Sequence, residues 1–228
     1  TGLVIAVVGA IEPQKAVDYV KRALGDWKNP GQKTRPEIPA HSALKRTEKR
    51  HHKIDGKSQT DLIIGTIGPR RNDPDYLAAS LGNSVLGQFG MGGRIGDVVR
   101  EKAGLAYFAY SNLSAGMGPG VWDISAGVNP KNVKKAIDLI LKELARFVRD
   151  GVTKSELLDS KTNYVGRLPL SLESNGGVAN SLLNMERYEL GLDYFQNYET
   201  RVKNVKRDAV KAIAEKFIDP TRLAIATA

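Results

Sequence analysis

Gly90-Met91-Gly92-Gly93-Arg94-Ile95-Gly96-Asp97-Val98-Val99-Arg100-Glu101-Lys102-Ala103-Gly104-Leu105-Ala106-Tyr107 reads as a glycine-rich hinge, a short helix and a strand that begins at Leu105. Ile95, Val98 and Val99 share one helical face, and at about 100° per residue Arg100 falls off that face, toward solvent or a cleft. An arginine at a helix end is also favourable as plain solvated charge, near the negative pole of the helix. Along the strand Tyr107 alternates with Leu105 and Ala109, and Phe108 with Tyr110. The chain soon returns in a second strand, 121–128, with Trp122, Ile124 and Ala126 on one face and Val121, Asp123 and Ser125 on the other. A return this short favours antiparallel pairing. The fold class is therefore α+β, a mixed and mostly antiparallel sheet with helices packed on it.

Outward from this segment the pattern continues. Leu62-Ile63-Ile64-Gly65-Thr66-Ile67 is an apolar run of strand length, expected to be buried. Asp73-Pro74 opens a helix carrying Leu77, Leu81, Val85 and Leu86. Asn129-Pro130 opens another, through about Arg149, with Val133, Ile137, Ile140, Leu141 and Leu144 inward. Thr153-Lys154-Ser155-Glu156 is a capping box for the next helix. Helical patterns cover about 174–191 and 193–217, and Leu223-Ala224-Ile225-Ala226 is a closing strand. At the other end, Leu3-Val4-Ile5-Ala6-Val7-Val8 reads as a strand buried on both faces. A helix with Glu12-Pro13 at its start follows, with Ala16, Val17, Val20, Ala23 and Leu24 on one side and Gly25 after it. Residues 28–48, with Pro30, Pro36 and Pro39, form a basic linker. Thr1-Gly2-Leu3-Val4-Ile5-Ala6-Val7 echoes Thr221-Arg222-Leu223-Ala224-Ile225-Ala226-Thr227, four of seven residues being identical. The expected organisation is a trailing strand and helix of a preceding homologous half (1–27), the linker, and a whole second half (49–228).

Composition narrows the chemistry. With 228 residues and 41% hydrophobic content the chain can build a core without staples. The absence of cysteine excludes disulfides, zinc-thiolate sites and thiol nucleophiles. No apolar run reaches the length of a membrane span. The net charge of +9 is concentrated in residues 28–53, where eight Lys or Arg face only Glu37 and Glu48. That segment contains no aromatic residue for base stacking, so a solvated linker is favoured over a nucleic-acid-binding module. Gly90, Gly92 and Gly93 are followed by no Lys-Ser or Lys-Thr, which argues against a phosphate loop. Asp97 and Glu101 read as surface ion-pair partners of the neighbouring cations.

Arg100-Glu101-Lys102-Ala103-Gly104-Leu105-Ala106-Tyr107, with the glycine-rich stretch, the Asp73-Pro74 helix start and the linker, resembles the pitrilysin-type (insulinase-type) zinc metallopeptidases. These inverzincins are built from homologous α+β halves, like those of the mitochondrial processing peptidase. One half of such enzymes carries His-x-x-Glu-His. The other holds no metal and offers an Arg and, seven residues on, a Tyr. The resemblance makes this chain the second, inactive-type half.

It implies that Arg100 and Tyr107 bind substrate, the tyrosine hydroxyl donating to the scissile carbonyl. Without the resemblance Tyr107 is as well read as a sheet tyrosine satisfied locally. Gly92 and Gly93 are candidate loop contacts. His-x-x-Glu-His is absent, and His51-His52 would point to opposite faces of an exposed strand. No catalytic residue and no metal or cofactor is therefore assigned to this chain, and zinc is expected on a partner half or subunit bearing His-x-x-Glu-His. The other expected partners are a peptide substrate and a further copy joined through residues 1–27. The resemblance alone leans toward a periplasmic or envelope setting. A non-catalytic assembly subunit of the same fold is the main alternative, and a nucleic-acid module the second.

Overall fold

A computed structural model describes residues 3–31, 38, 41–88, 90 and 92–228. Thr1 and Gly2 of the echo, Met91 of the glycine stretch and residues 32–37 and 39–40 of the linker lie outside the described residues. In chain order the elements are α1 (Pro13–Leu24), β1 (Glu48–His51), β2 (Thr60–Gly68), α2 (Tyr76–Asn83), α3 (Gly93–Gly96), β3 (Ala106–Ser114), β4 (Gly120–Val128), α4 (Val133–Asp150), α5 (Lys154–Ser171), α6 (Asn175–Arg187), α7 (Tyr198–Asn204), α8 (Arg207–Phe217) and β5 (Ala224–Thr227). They fall into two compact units: residues 1–41 with 166–196, and residues 42–165 with 197–228.

The larger unit is an α+β layer. Its five-stranded sheet has the order β1-β5-β2-β4-β3, with β1 parallel to β5 and the other pairs antiparallel. The alternation of β4 sorts as its sequence predicts: Trp122, Ile124 and Ala126 are buried while Val121 is half exposed. With Leu62, Ile64, Ala109 and Ile225 they make the covered face, under α2, α4 and α8. Trp122 meets Phe147 of α4 edge-on, with ring centroids 6.4 Å apart. Trp122 Nε1 donates to Asn83 Oδ1 at 2.8 Å, and Ser111 Oγ donates to the same oxygen at 2.6 Å. A buried polar cluster thus ties α2 to both β3 and β4.

Several expectations need correction. β2 is not buried on both faces: Ile63 is 49% exposed, because helices pack on one side of this sheet. The pattern over 193–217 is two helices, α7 and α8, with the chain extended at Val205 and Lys206 between them. Asp73 does not start α2 but the turn before it, where its carboxylate accepts from the Asp75 N–H and its carbonyl from the Tyr76 N–H.

The smaller unit contains α1 and α6. Ser174 caps α6 by accepting from the Gly177 N–H at 3.0 Å. Pro13 starts α1 and Gly25 ends it, as expected, yet no residue of that helix is buried. Residues 3–8 form no strand, and Leu3, Val4, Ile5 and Val7 are all about half exposed. A strand needs a partner strand to pair with, and none pairs with this segment among the described residues.

Candidate functional site

The segment from Val85 to Tyr107 is bracketed by irregular helix. Ser84–Gln88 is a widened turn that kinks at Gly87, where φ is −159°, and Asp97–Glu101 is a π-helical turn. In the second, the Lys102 N–H reaches back to the Asp97 carbonyl at 2.9 Å. Such widened turns are uncommon and gather at functional sites. Gly92 and Gly93 join the two through positive φ values of +103° and +57°. A Cβ on Gly92 would stand 2.3 Å from the Ala109 carbonyl oxygen, and one on Gly93 2.5 Å from that of Val85. These glycines let backbone touch backbone, rather than presenting an open cradle.

Ile95 and Val99 are fully buried and anchor the short helix. Arg100 lies in the widened turn, its side chain 32% exposed. Its Nε pairs with Glu101 at 3.2 Å, and its two terminal amino groups donate no hydrogen bond among the described residues. Asp97 pairs with Lys102, so both acids are surface ion-pair partners as their spacing suggested. Gly104, at φ +61°, turns the chain from helix into strand, and the Leu105 N–H donates to the Val99 carbonyl.

Tyr107 departs from the alternation expected of it. In the β3–β4 ladder Ala106 pairs with Val128 and Phe108 with the adjacent Gly127, so Tyr107 is an extra residue, a β-bulge. Leu105 and Ala109 are buried, while Tyr107 is 84% exposed. Its hydroxyl makes no hydrogen bond among the described residues. Bulges on edge strands re-aim side chains in this way, and β3 is an edge strand. Arg100 and Tyr107 therefore stand at the two ends of one helix-to-strand turn, both with free donors and with no bond between them. They can hold a carbonyl or carboxylate oxygen.

Arg94 escaped the sequence reading. It donates from Nε and Nη2 to the two Glu156 oxygens at 2.7 and 2.6 Å, and its Nη1 lies 3.7 Å from Glu143. Burial pushes the Glu156 carboxyl up, but Arg94 and the Thr153 backbone and hydroxyl outweigh it and hold it down at about 2. One signal was available: Glu143 shares the apolar stripe of α4 with Ile140, Leu144 and Phe147. A carboxylate buried there requires a cation.

Residues 2–164 match the family model described as the peptidase M16 inactive domain. The chain belongs to this family. An uncharacterised zinc protease of Streptomyces coelicolor is 30% identical over 226 residues, covering 96% of the chain and 48% of that relative. The uncharacterised zinc protease YmxG of Bacillus subtilis is 33% identical over 172 residues, 75% of the chain and 40% of the relative. The crystal structure of a peptidase M16 inactive domain from Pseudomonas fluorescens superposes with a TM-score of 0.86 at 27% identity, covering 96% of this chain and 51% of that one. The M16 inactive domain thus spans about half the length of the relatives it matches.

The zinc that the family implies finds no fitting ligand set among the described residues of this M16 domain. No group of three or more His, Asp or Glu side chains converges among the described residues. The His51 ring instead shares a 2.9 Å hydrogen bond with Thr227 across the β1–β5 edge. No helix among the described residues is long and apolar enough to cross a membrane.

Proposed function

We propose that this chain is the substrate-contacting half of an M16 zinc endopeptidase. It forms one wall of a closed chamber, with Arg100 and Tyr107 holding the peptide. The zinc, the water and the general base belong to a homologous half bearing His-x-x-Glu-His, in the same polypeptide or in a partner subunit. The observation that carries this reading is the bulge at Tyr107, which spends a ladder pair to turn an aromatic hydroxyl out of the sheet. Residues 1–27 are read as the trailing strand and helix of that other half. Their exposed apolar side chains, the echo of β5 in residues 1–7 and the length of the relatives support this. The basic linker and the lysine-bearing edge β1 are read as solvated surface, since charge on an edge strand also discourages unwanted pairing.

The test is peptide hydrolysis by the full-length polypeptide, or by this chain reconstituted with its zinc-bearing half. Arg100→Ala and Tyr107→Phe should each lower kcat/KM by about 10²-fold, the worth of one well-aimed oxyanion donor. Unchanged rates would instead favour a non-catalytic assembly subunit. The isolated chain should neither hydrolyse peptides nor bind stoichiometric zinc, and chelator-sensitive activity in it would sink the proposal.

A further inference from the structure

Arg94 has no part in the reading above, yet it holds the segment's most elaborate set of partners. It stands one residue after Gly93, in α3, with its side chain only 11% exposed. Besides the paired bonds to Glu156, its guanidinium lies over the Phe147 ring at 5.8 Å and faces Glu143. Glu143 is 4% exposed and also accepts from Arg146 at 2.8 Å. Glu156 closes the capping box of α5 at the same time. It accepts the Thr153 N–H at 2.7 Å while its own N–H donates to the Thr153 hydroxyl at 3.2 Å. One guanidinium thereby fastens α3 to α4 and to the first turn of α5.

The opposite side of the segment is fixed by contact. Gly92 is backed against the Ala109 carbonyl of β3, and Gly93 against the turn at Val85. Between these supports the chain runs through α3 and the widened turn to Arg100, then through Gly104 to Tyr107. α3 runs without a break into the widened turn that holds Arg100, so displacing α3 displaces Arg100. The Leu105-to-Val99 bond passes the displacement to the start of β3.

We propose that Arg94 is a positioning residue, whose paired bonds to Glu156 set the direction in which Arg100 and Tyr107 meet the peptide. This rests on the reading that those two side chains contact substrate. The competing account is a buried ion cluster that only stabilises the fold, and such clusters are often worth little net stability. Arg94→Lys separates the two. It keeps the charge but loses the planar fork, which alone fixes both distance and angle to a carboxylate.

The experiment compares wild type, Arg94→Lys, Glu156→Gln, Arg100→Ala and Tyr107→Phe in the full-length or reconstituted peptidase. It reads kcat and KM separately, together with amide hydrogen exchange. Glu156→Gln serves as the second variant should Arg94→Lys fold poorly. Expected are a fall of about 10²-fold in kcat, the scale of a 1 Å misplacement, and exchange raised about tenfold more over 92–107 than in α4 and α8. Exchange that is unaltered in 92–107, or raised there no more than in α4 and α8, would overturn the proposal. Two rate patterns matter as well. If Arg100→Ala and Tyr107→Phe slow the reaction but Arg94→Lys and Glu156→Gln do not, positioning is refuted and the substrate site stands. If Arg94→Lys slows it while the other two do not, the substrate site fails and the positioning claim falls with it.

Discussion

Glu156→Gln should destabilise the larger unit by roughly 1.5 kcal/mol at neutral pH, and the loss should vanish in acid. Arg94 and Thr153 hold the Glu156 carboxyl down at about 2. Ten-fold in proton affinity is worth about 1.36 kcal/mol, so a carboxyl displaced this far contributes about 3 kcal/mol when ionised. Glu156 keeps 31% of its side chain in solvent, and screening reduces that to roughly half. Glu143 still faces Arg94 in the variant, so the larger penalty of a stranded buried charge does not apply. The folded-state value is depressed. The contribution is therefore complete above the range of an unfolded glutamate and is lost as pH falls from about 4 toward 2. Urea melts from pH 7 to 2.5 measure it. A Trp27→Phe background leaves buried Trp122 as the sole indole, reporting on the larger unit alone. Asp61, Asp150 and Asp219 are also held low by neighbouring donors, and they cancel between wild type and variant. A wild-type-minus-variant difference that stays flat across this range would refute the reasoning.

Gly92→Ala should cost about 1–3 kcal/mol in the same melt, since it places a Cβ at a positive φ against the Ala109 carbonyl; an unchanged midpoint would mean that the turn can move aside. Tyr107→Phe should melt within about 0.5 kcal/mol of wild type, because the exposed hydroxyl holds nothing in the fold; a larger loss would mark it as structural. Ile5→Glu should leave the Trp122 melt of this chain unchanged yet loosen the preceding half of the full-length polypeptide, as read by limited proteolysis near residues 1–27. Equal proteolysis of variant and wild type would count against a buried strand there. A concentration-dependent dimer of this chain, broken by Ile5→Glu in sedimentation, would point to a second copy instead.

The covered face of the sheet was legible because β4 alternates cleanly: Trp122, Ile124 and Ala126 went where a period of two sends them. Thr153 and Glu156 likewise form their capping box from four adjacent residues. What depends on pairing was not legible. The bulge at Tyr107 exists only relative to Val128 and Gly127 of another strand, so alternation put the tyrosine on the wrong side. Ile63 sits in an apolar run that does not say which face of a sheet lies bare. The break at Val205 carries no glycine, and no proline follows it. In the site, the Arg100 and Tyr107 spacing could be read locally. The Arg94 cluster could not, because its carboxylates come from two distant helices.

The polar cluster of Asn83, Ser111 and Trp122 acts as a proofreader of strand alignment. Tyr107 is an inserted residue, so the pairing of β3 shifts by one position at that end of the ladder. A one-residue slip of β3 would turn Ser111 to the bare face, taking one of its two donors from Asn83 Oδ1 and leaving the Trp122 indole N–H with Asn83 alone. One buried hydrogen bond is worth about 0.5–1.5 kcal/mol net, a factor of about two to twelve against the misaligned form. The irregularity that aims Tyr107 outward is thereby tolerated by a checkpoint only a few residues further along the same strand.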